Sequence, residues 1–199
     1  MTGAIFGLVG VFVGAFLTWF KDAWSDRRMR GRHARYLAIR IVCILDGYMK
    51  SCADVVYDDG LCEGQPNEQG FVEPQVPLPP TLTFPEDLDW KSIEHALMYR
   101  LLSMPSEIEA ANHMIDAAWN YGDPEAHIEE RQYQYAKLGL ASFALTKEIR
   151  SKYDIPSKDL GEWNPVKRLM EATERIEKGR RDRGQRTANL LDAQPPPVS

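Results

Sequence analysis

The chain lacks the short motifs that identify most enzyme active sites. It contains no phosphate-binding loop, no dinucleotide-binding glycine pattern after a strand, no G-x-S-x-G nucleophile turn and no H-E-x-x-H zinc motif. It also has no Glu-x-x-His, which di-metal carboxylate bundles carry on each of two helices. These absences leave no recognisable catalytic class, and the sequence predicts no cofactor and no metal.

Cysteine is scarce and is not spaced for cross-linking. The three cysteines, Cys43, Cys52 and Cys62, are an odd number without a C-x-x-C pair. Cys43 and Cys52 lie nine positions apart on a predicted helix, which is unsuitable for a tight metal clip. We therefore predict reduced thiols that serve as small core residues.

Charge is missing from the beginning of the chain. Residues 3–20 include no acidic or basic side chain, and most of them are apolar. At about 1.5 Å per residue, a helix of this length spans roughly 27 Å, near the lower limit for crossing the hydrocarbon core of a bilayer. Residues 1–20 are therefore predicted to form a transmembrane anchor.

Basic residues follow the apolar run, and none precedes it. Residues 21–40 hold seven basic and two acidic side chains, a net charge of +5, and residues 21–35 are predicted as a basic juxtamembrane segment. By the positive-inside rule the protein is single-pass in a bacterial inner (plasma) membrane, with its N-terminus outside and its body in the cytoplasm. A cleaved signal peptide would need the opposite order of charge and small residues at its exit. An apolar helix buried in a larger complex is the other alternative.

Two sets of residues accompany the predicted anchor. The first is a helical stripe of small residues that allows close packing against a second copy or another membrane helix: Gly3, Gly7, Gly10 and Gly14. The second set is aromatic and basic and is expected at the level of the lipid headgroups: Trp19, Lys21, Trp24, Arg27, Arg28 and Arg30. The lipid bilayer is thus the first predicted partner.

Hydrophobic periodicity predicts an all-α fold, in which the anchor continues into a cytoplasmic antiparallel bundle of about four helices. The first cytoplasmic helix is predicted over residues 36–58, with Gly31 as the expected place for a kink or break. Residues 59–84 hold five prolines and show no helical period. They are predicted to be a proline-rich loop or linker, either an extended spacer or an ordered loop wrapped on the body.

A helical body is predicted over residues 85–183. Its first part reads as two short helices that Pro105 separates, with a left-handed cap at Gly122. Asp123-Pro124 and Asn164-Pro165 each combine a capping side chain with a proline suited to the first helical position, and each predicts the start of a longer helix. Residues 184–199 are predicted to be a disordered tail.

The charge and composition of the predicted body indicate its function only in broad terms. Residues 41–166 carry a net charge of −13, which disfavours nucleic-acid binding. We expect a membrane-anchored, non-enzymatic adaptor or scaffold that binds a protein partner, or a second copy of itself, through the anchor or the body. Four aromatic residues are candidates for a groove: Trp90, Tyr99, Trp119 and Tyr135.

The alternative is a membrane-associated helical enzyme or metal-binding protein. It would use His95, His113 and neighbouring acids, because His113 and Asp116 share one helical face.

Overall fold

Four long helices make up the computed structural model of this 199-residue chain, together with a single turn of 3-10 helix at Trp90–Ser92. The long helices are α1 (Thr2–Tyr57), α2 (His95–Tyr121), α3 (Pro124–Lys152) and α4 (Pro165–Asp192). No β-strand occurs among the residues that the structure describes. The predicted all-helical fold is confirmed.

The structure describes residues 2–157, 161 and 164–192. Some helical positions in this range are described without their side chains: 2–18, 20, 22–23, 25–28, 30 and 191–192. Side-chain packing and contacts are defined at the remaining positions.

The central element is α3, which packs against each of the other three helices. Along α3, residue numbers rise while those of the contacting residues on its neighbours fall. From its beginning to its end, α3 meets α1 at Asp58, then Cys52, then Asp46, and it meets α4 at Arg183, then Leu169. The three outer helices are therefore all antiparallel to α3. Close packing is possible at its middle because Gly139 has no side chain between Cys52 and Leu169.

Helix α1 is continuous for 56 residues, about 84 Å at 1.5 Å per residue. Gly31, the expected place for a break, lies inside it. Burial begins at Ala34, and the core residues of α1 then recur at intervals of three and four: Leu37, Ala38, Ile41, Val42, Leu45, Tyr48, Met49, Cys52, Val55 and Val56. The second half of α1 thus belongs to the bundle.

Membrane-spanning character is not found in the part of the chain with described side chains, where no helix offers a stretch both long and apolar enough to cross a bilayer. Most side chains of the predicted anchor lie outside that part. The structure gives the anchor no support, and the anchor stays a prediction from the sequence.

The proline-rich segment after α1 lies on the body. Pro79, Leu82 and Leu88 are buried, and the latter two belong to the main core. Val76 is held beside the end of α1 at Asp58, whereas Asp87 pairs with Arg40, five turns earlier on α1. Residues 77–85 thus run back along α1 without helix or turn, and Pro77, Pro79 and Pro80 favour such an extended path. Of the two alternatives, the structure shows an ordered loop.

One buried cluster fixes that loop. The Asp58 carboxylate accepts hydrogen bonds from the backbone N–H groups of Gly60, Gln75 and Val76 at 2.9–3.0 Å. The Arg131 guanidinium lies 3.4 Å from the same carboxylate and also donates to the Val76 carbonyl. Gln132 donates to the Asp58 carbonyl at 2.7 Å. The end of α1, the loop and α3 are therefore joined at one place.

Two predictions about α2 were wrong. Pro105 lies inside one helix and does not divide it. A proline removes one backbone hydrogen bond, but Leu101, Met104 and Ile108 are buried against α3 on both sides of it, so packing keeps the helix together. Gly122 has an extended backbone (φ −107°, ψ −174°) and is not left-handed. The chain passes directly into the cap of α3, which requires extended geometry.

The predicted starts of α3 and α4 are confirmed. The Asp123 carboxylate accepts a hydrogen bond from the Ala126 N–H, and Asn164 accepts from the N–H groups of Val166 and Lys167. The expected disordered tail was wrong for residues 184–192, which continue α4. Ala, Leu, Gln and Arg are good helix formers, and they need no core to extend an existing helix. Residues 193–199 lie outside the described residues.

Candidate functional site

The described side chains at the beginning of α1 do not belong to the core of the bundle. Every described side chain before Ala34 is exposed: Trp19, Lys21, Trp24, Met29, Arg32 and His33. Trp19 and Trp24, which we predicted to lie at the membrane interface, are 65% and 62% exposed. Residues 2–33 span about 48 Å of helix. This segment is long enough to connect the bundle to a separate partner or surface.

The side chains of several predicted anchor residues are not among those that the structure describes. Arg27, Arg28 and Arg30 lie on α1, but their side chains are outside the described set. The same holds for the surroundings of the glycine stripe: Gly3, Gly7, Gly10 and Gly14. These residues are part of one continuous helix, and their predicted contacts stay predictions.

Two arginines of the basic segment are used inside the protein. Arg35 donates to the Asp154 carbonyl at 2.7 Å, at the end of α3. Arg40 forms two hydrogen bonds with the Asp87 carboxylate at 2.8 and 3.0 Å, and this pairing lowers the pKa of Asp87 and raises the pKa of Arg40. The basic cluster therefore also ties α1 to the bundle where it enters.

Helix α2 has a solvent-exposed face that carries several large apolar side chains. Its buried stripe packs on α3, and the opposite side carries exposed apolar residues that share one face at 100° per residue. We call this set the α2 outer face: Tyr99, Leu102, Ala110, Met114, Ala117 and Tyr121. Tyr99 is 73% exposed and Tyr121 91% exposed. Large apolar side chains at this exposure mark a candidate contact surface.

Acidic residues border the α2 outer face on both sides. Glu107 lies along one edge, and Glu109 and Asp116 lie along the other. None of the three forms an ion pair with a described residue, whereas Arg100 is paired with Glu148 and Glu94 with Lys152. Ser106 and His113 are exposed on the same side, so the α2 outer face mixes apolar with polar side chains and is negative at its edges.

The structure does not bring the four predicted groove aromatics together. Tyr135 is fully buried, and its hydroxyl donates to Asn112 at 2.9 Å. Trp90 packs edge-on against Phe84 in the loop before α2. Tyr99 and Trp119 lie twenty residues apart on α2, about 30 Å along the helix, and only Tyr99 belongs to the α2 outer face. A shared groove is not formed.

The histidines of the alternative hypothesis are also far apart. His95 and His113 are both exposed and lie 18 residues apart on α2, about 27 Å. Among the described residues, no group of three or more His, Cys, Asp or Glu side chains is arranged to hold a metal. The two histidines therefore do not form a common site.

The sequence analysis missed His127, which is the buried histidine. Its ring packs edge-on against Trp119, and Nδ1 lies 3.3 Å from the Ile115 carbonyl oxygen. Burial lowers the pKa of His127 below its ordinary value, although the Ile115 carbonyl acts in the opposite direction. Its position on the buried stripe of α3, one residue before Ile128, was the available signal.

The cysteines differ in their surroundings. Cys52 is buried, and burial raises the pKa of its thiol to about 12, which leaves it unreactive. Cys43 and Cys62 are exposed. The prediction of a core role holds for Cys52 and was wrong for the other two.

Comparison of the chain with protein-family models, with curated proteins and with solved structures gives no match. The candidate sites are therefore defined by the chemistry of this chain alone. They are the part of α1 before Ala34, in which every described side chain is exposed, and the α2 outer face.

Proposed function

We propose that this protein is a membrane-tethered, non-enzymatic adaptor, whose α1 holds the helical bundle beside the cytoplasmic face of a membrane. The observation that carries the proposal is the continuity of α1. A single helix contains the charge-free residues 3–20 and the core residues from Ala34 onward. A membrane segment built this way would position the body through a continuous helical connection.

The length of the connection supports this geometry. Residues 21–33 separate the end of the apolar run from the start of the bundle, which is about 20 Å of helix. Trp19, Lys21 and Trp24 are exposed at the beginning of this stretch, as residues at the headgroup level would be. The bundle would then stand clear of the lipid surface, with α2 accessible to a partner.

The chemistry of the α2 outer face indicates the kind of partner. Its apolar side chains favour burial against another apolar surface. Its unpaired acids, Glu107, Glu109 and Asp116, disfavour anionic lipid and favour a partner with basic residues around an apolar patch. We assign the recognition role to this face and expect a protein partner of that character.

The tether is tested with the protein's own cysteines. A membrane-impermeant maleimide should label Cys43 and Cys62 only after the inner membrane of an expressing bacterium is permeabilised, because both are exposed in the body. Cys52 should stay unlabelled in the folded protein and serves as an internal control. A cysteine at position 2 (Thr2→Cys) should be labelled in intact cells. Release of the full chain by alkaline extraction, or labelling of Cys43 without permeabilisation, would contradict the proposal.

The recognition surface is tested by one substitution and a matched control. Met114→Glu places a charge on the α2 outer face, and Met170→Glu places the same charge at a similarly exposed position on α4. In crosslinking and pull-down of the full chain, the first variant should lose its partner and the second should keep it. Retained binding should weaken as salt is raised, because a basic partner is screened. Equal capture by both variants would remove the recognition role from α2.

A further inference from the structure

A second site lies on the opposite side of α3 from α2, where α4 leaves α1 and α3 uncovered. Helix α4 begins at Pro165 and reaches α3 at its middle, because Leu169 lies against Gly139. Beyond that point, the described residues of the connection before α4, among them Ile155 and Asn164, border the groove between α1 and α3. This arrangement leaves a cavity of about 720 Å³. Cavities of roughly 300–1,000 Å³ are typical of small-molecule sites.

The interior of the cavity is mostly apolar. Met49 of α1, Phe143 of α3 and Ile155 and Pro165 of the connection line it. Thr146, Ser151, Ser157 and Asn164 add polar groups to this lining. The Thr146 side chain is 3% exposed, and its hydroxyl has no hydrogen-bond partner among the described residues. That hydroxyl is shielded from the cavity as well as from solvent, so it lowers stability and does not contact a ligand.

The described lining of the cavity carries three basic and two acidic side chains, and one of the acids, Asp154, lies 3.7 Å from Arg35. At one end, Asp46 and Arg150 form an ion pair at 2.7 Å, so these two charges cancel. One turn further along the two antiparallel helices are Lys50 and Lys147, which form no ion pair with a described residue. The first backbone N–H groups of α4 add partial positive charge, although Asn164 caps two of them. An anion would be stabilised at this rim.

We propose that this cavity binds a compact amphiphile with one anionic headgroup, of which a medium-chain fatty carboxylate is the simplest example. The headgroup lies between Lys50 and Lys147, where it replaces the missing acidic partner. The apolar body lies on Met49, Phe143 and Ile155. This role does not depend on the membrane tether or on the α2 outer face.

The test is competitive acetylation of lysines in the full chain, held in zwitterionic lipid nanodiscs and read by mass spectrometry. Saturating decanoate should slow acetylation of Lys50 and Lys147 about fivefold or more, since an ion pair withdraws the amine. Lys91 and Lys178, which are exposed and form no ion pair, should react at unchanged rates. Decanol, which has the same apolar body without the charge, should leave all four rates nearly unchanged.

Variants separate the headgroup contact from general adsorption. Lys147→Glu should weaken decanoate protection of Lys50 by more than about tenfold, whereas the matched Lys178→Glu should leave it unchanged. Thr146→Val keeps the side-chain shape and should leave protection unchanged, because the Thr146 hydroxyl is not accessible from the cavity. Far-UV circular dichroism of each variant checks that the fold is retained. Equal protection of all lysines, equal effects of decanol and decanoate, or an unaffected Lys147→Glu would each overturn the proposal.

Discussion

Helices α1 and α3 form an aspartate–arginine pair at each end of their contact, and the two pairs have opposite surroundings. Asp58 and Arg131 are buried, and loop backbone groups complete their hydrogen bonding. Asp46 and Arg150 are partly exposed and stand beside the 720 Å³ cavity.

The difference lies in what covers the two helices. At the Asp58 end, the proline-rich loop folds back over the pair and supplies backbone donors and an acceptor. At the Asp46 end, α4 has not yet begun, and the connection leaves space. The same two residue types on the same two helices therefore hold a sealed cluster in one place and border a binding cavity in the other. We expect stability to depend on the first end and ligand access on the second.

The largest expected effect comes from removing the sealed pair. Asp58→Ala leaves the Arg131 charge and three backbone N–H groups without their acceptor, and it should lower the free energy of unfolding by about 3–5 kcal/mol. The matched change, Asp46→Ala, should cost about 1 kcal/mol or less, because water reaches that pair. Urea unfolding of the full chain in mild detergent, followed by far-UV circular dichroism, gives both values. Equal losses of unfolding free energy in the two variants would show that burial beneath the loop does not make the Asp58–Arg131 pair more important than the Asp46–Arg150 pair.

A smaller effect is expected where α4 meets the other two helices. A Cβ atom added at Gly139 would stand 2.8 Å from Leu169 Cδ1 and 3.0 Å from Cys52 Cβ. Gly139→Ala should therefore lower the free energy of unfolding by about 1–2 kcal/mol, since the clash exceeds the gain in helix propensity. The same urea experiment on Gly47→Ala should show a gain of up to about 1 kcal/mol, because no neighbour lies within 4 Å. Destabilisation by both would indicate that packing at Gly139 is not the cause.

A substitution beside the cavity, at the Asp46 end of the contact between α1 and α3, should raise stability. Thr146→Val removes a buried hydroxyl without a partner and should raise the free energy of unfolding by about 1 kcal/mol. Its control is Thr173→Val on α4, where the hydroxyl donates to the Leu169 carbonyl at 2.9 Å and its loss should be neutral or destabilising. A stabilised Thr146→Val that binds decanoate as before would show that this hydroxyl affects stability alone. A destabilised variant would mean that the hydroxyl already has a partner.

The smallest effect is a pH dependence at the Asp58 end of α3, where His127 is buried. Its pKa in the folded state lies below the ordinary 6.5, first because of burial and also because of the nearby Arg131 charge. The unfolded chain therefore binds the proton more strongly. The stabilising contribution is present above pH 6.5 and is lost as the pH falls below that value.

The urea midpoint should accordingly fall between about pH 7.5 and about pH 5, and His127→Phe should reduce that fall. The phenyl ring keeps the edge-on contact with Trp119 without titrating. An unchanged pH response in the variant would assign the effect to other groups.

Much of the helical body was predictable because its signals are local. Asp123-Pro124 and Asn164-Pro165 satisfy backbone groups within three residues of themselves, so they fixed the starts of α3 and α4. The spacing of Ile128, Tyr135, Leu138, Leu145 and Ile149 indicated the buried side of α3. The prediction of an aromatic groove was wrong, because the exposure of each ring depends on which neighbouring helix covers it.

The sequence alone determined the all-helical class, the helix starts that capping residues set, the apolar stripes and the segregation of charge, since each depends on residues close together in the chain. Only the tertiary structure decided that α2 continues through Pro105, that the proline-rich loop packs against α1, and that α4 leaves a cavity. It also decided that Asp58 meets Arg131, 73 residues away. These features depend on contacts between distant segments, and packing there outweighs the local preference of any single residue.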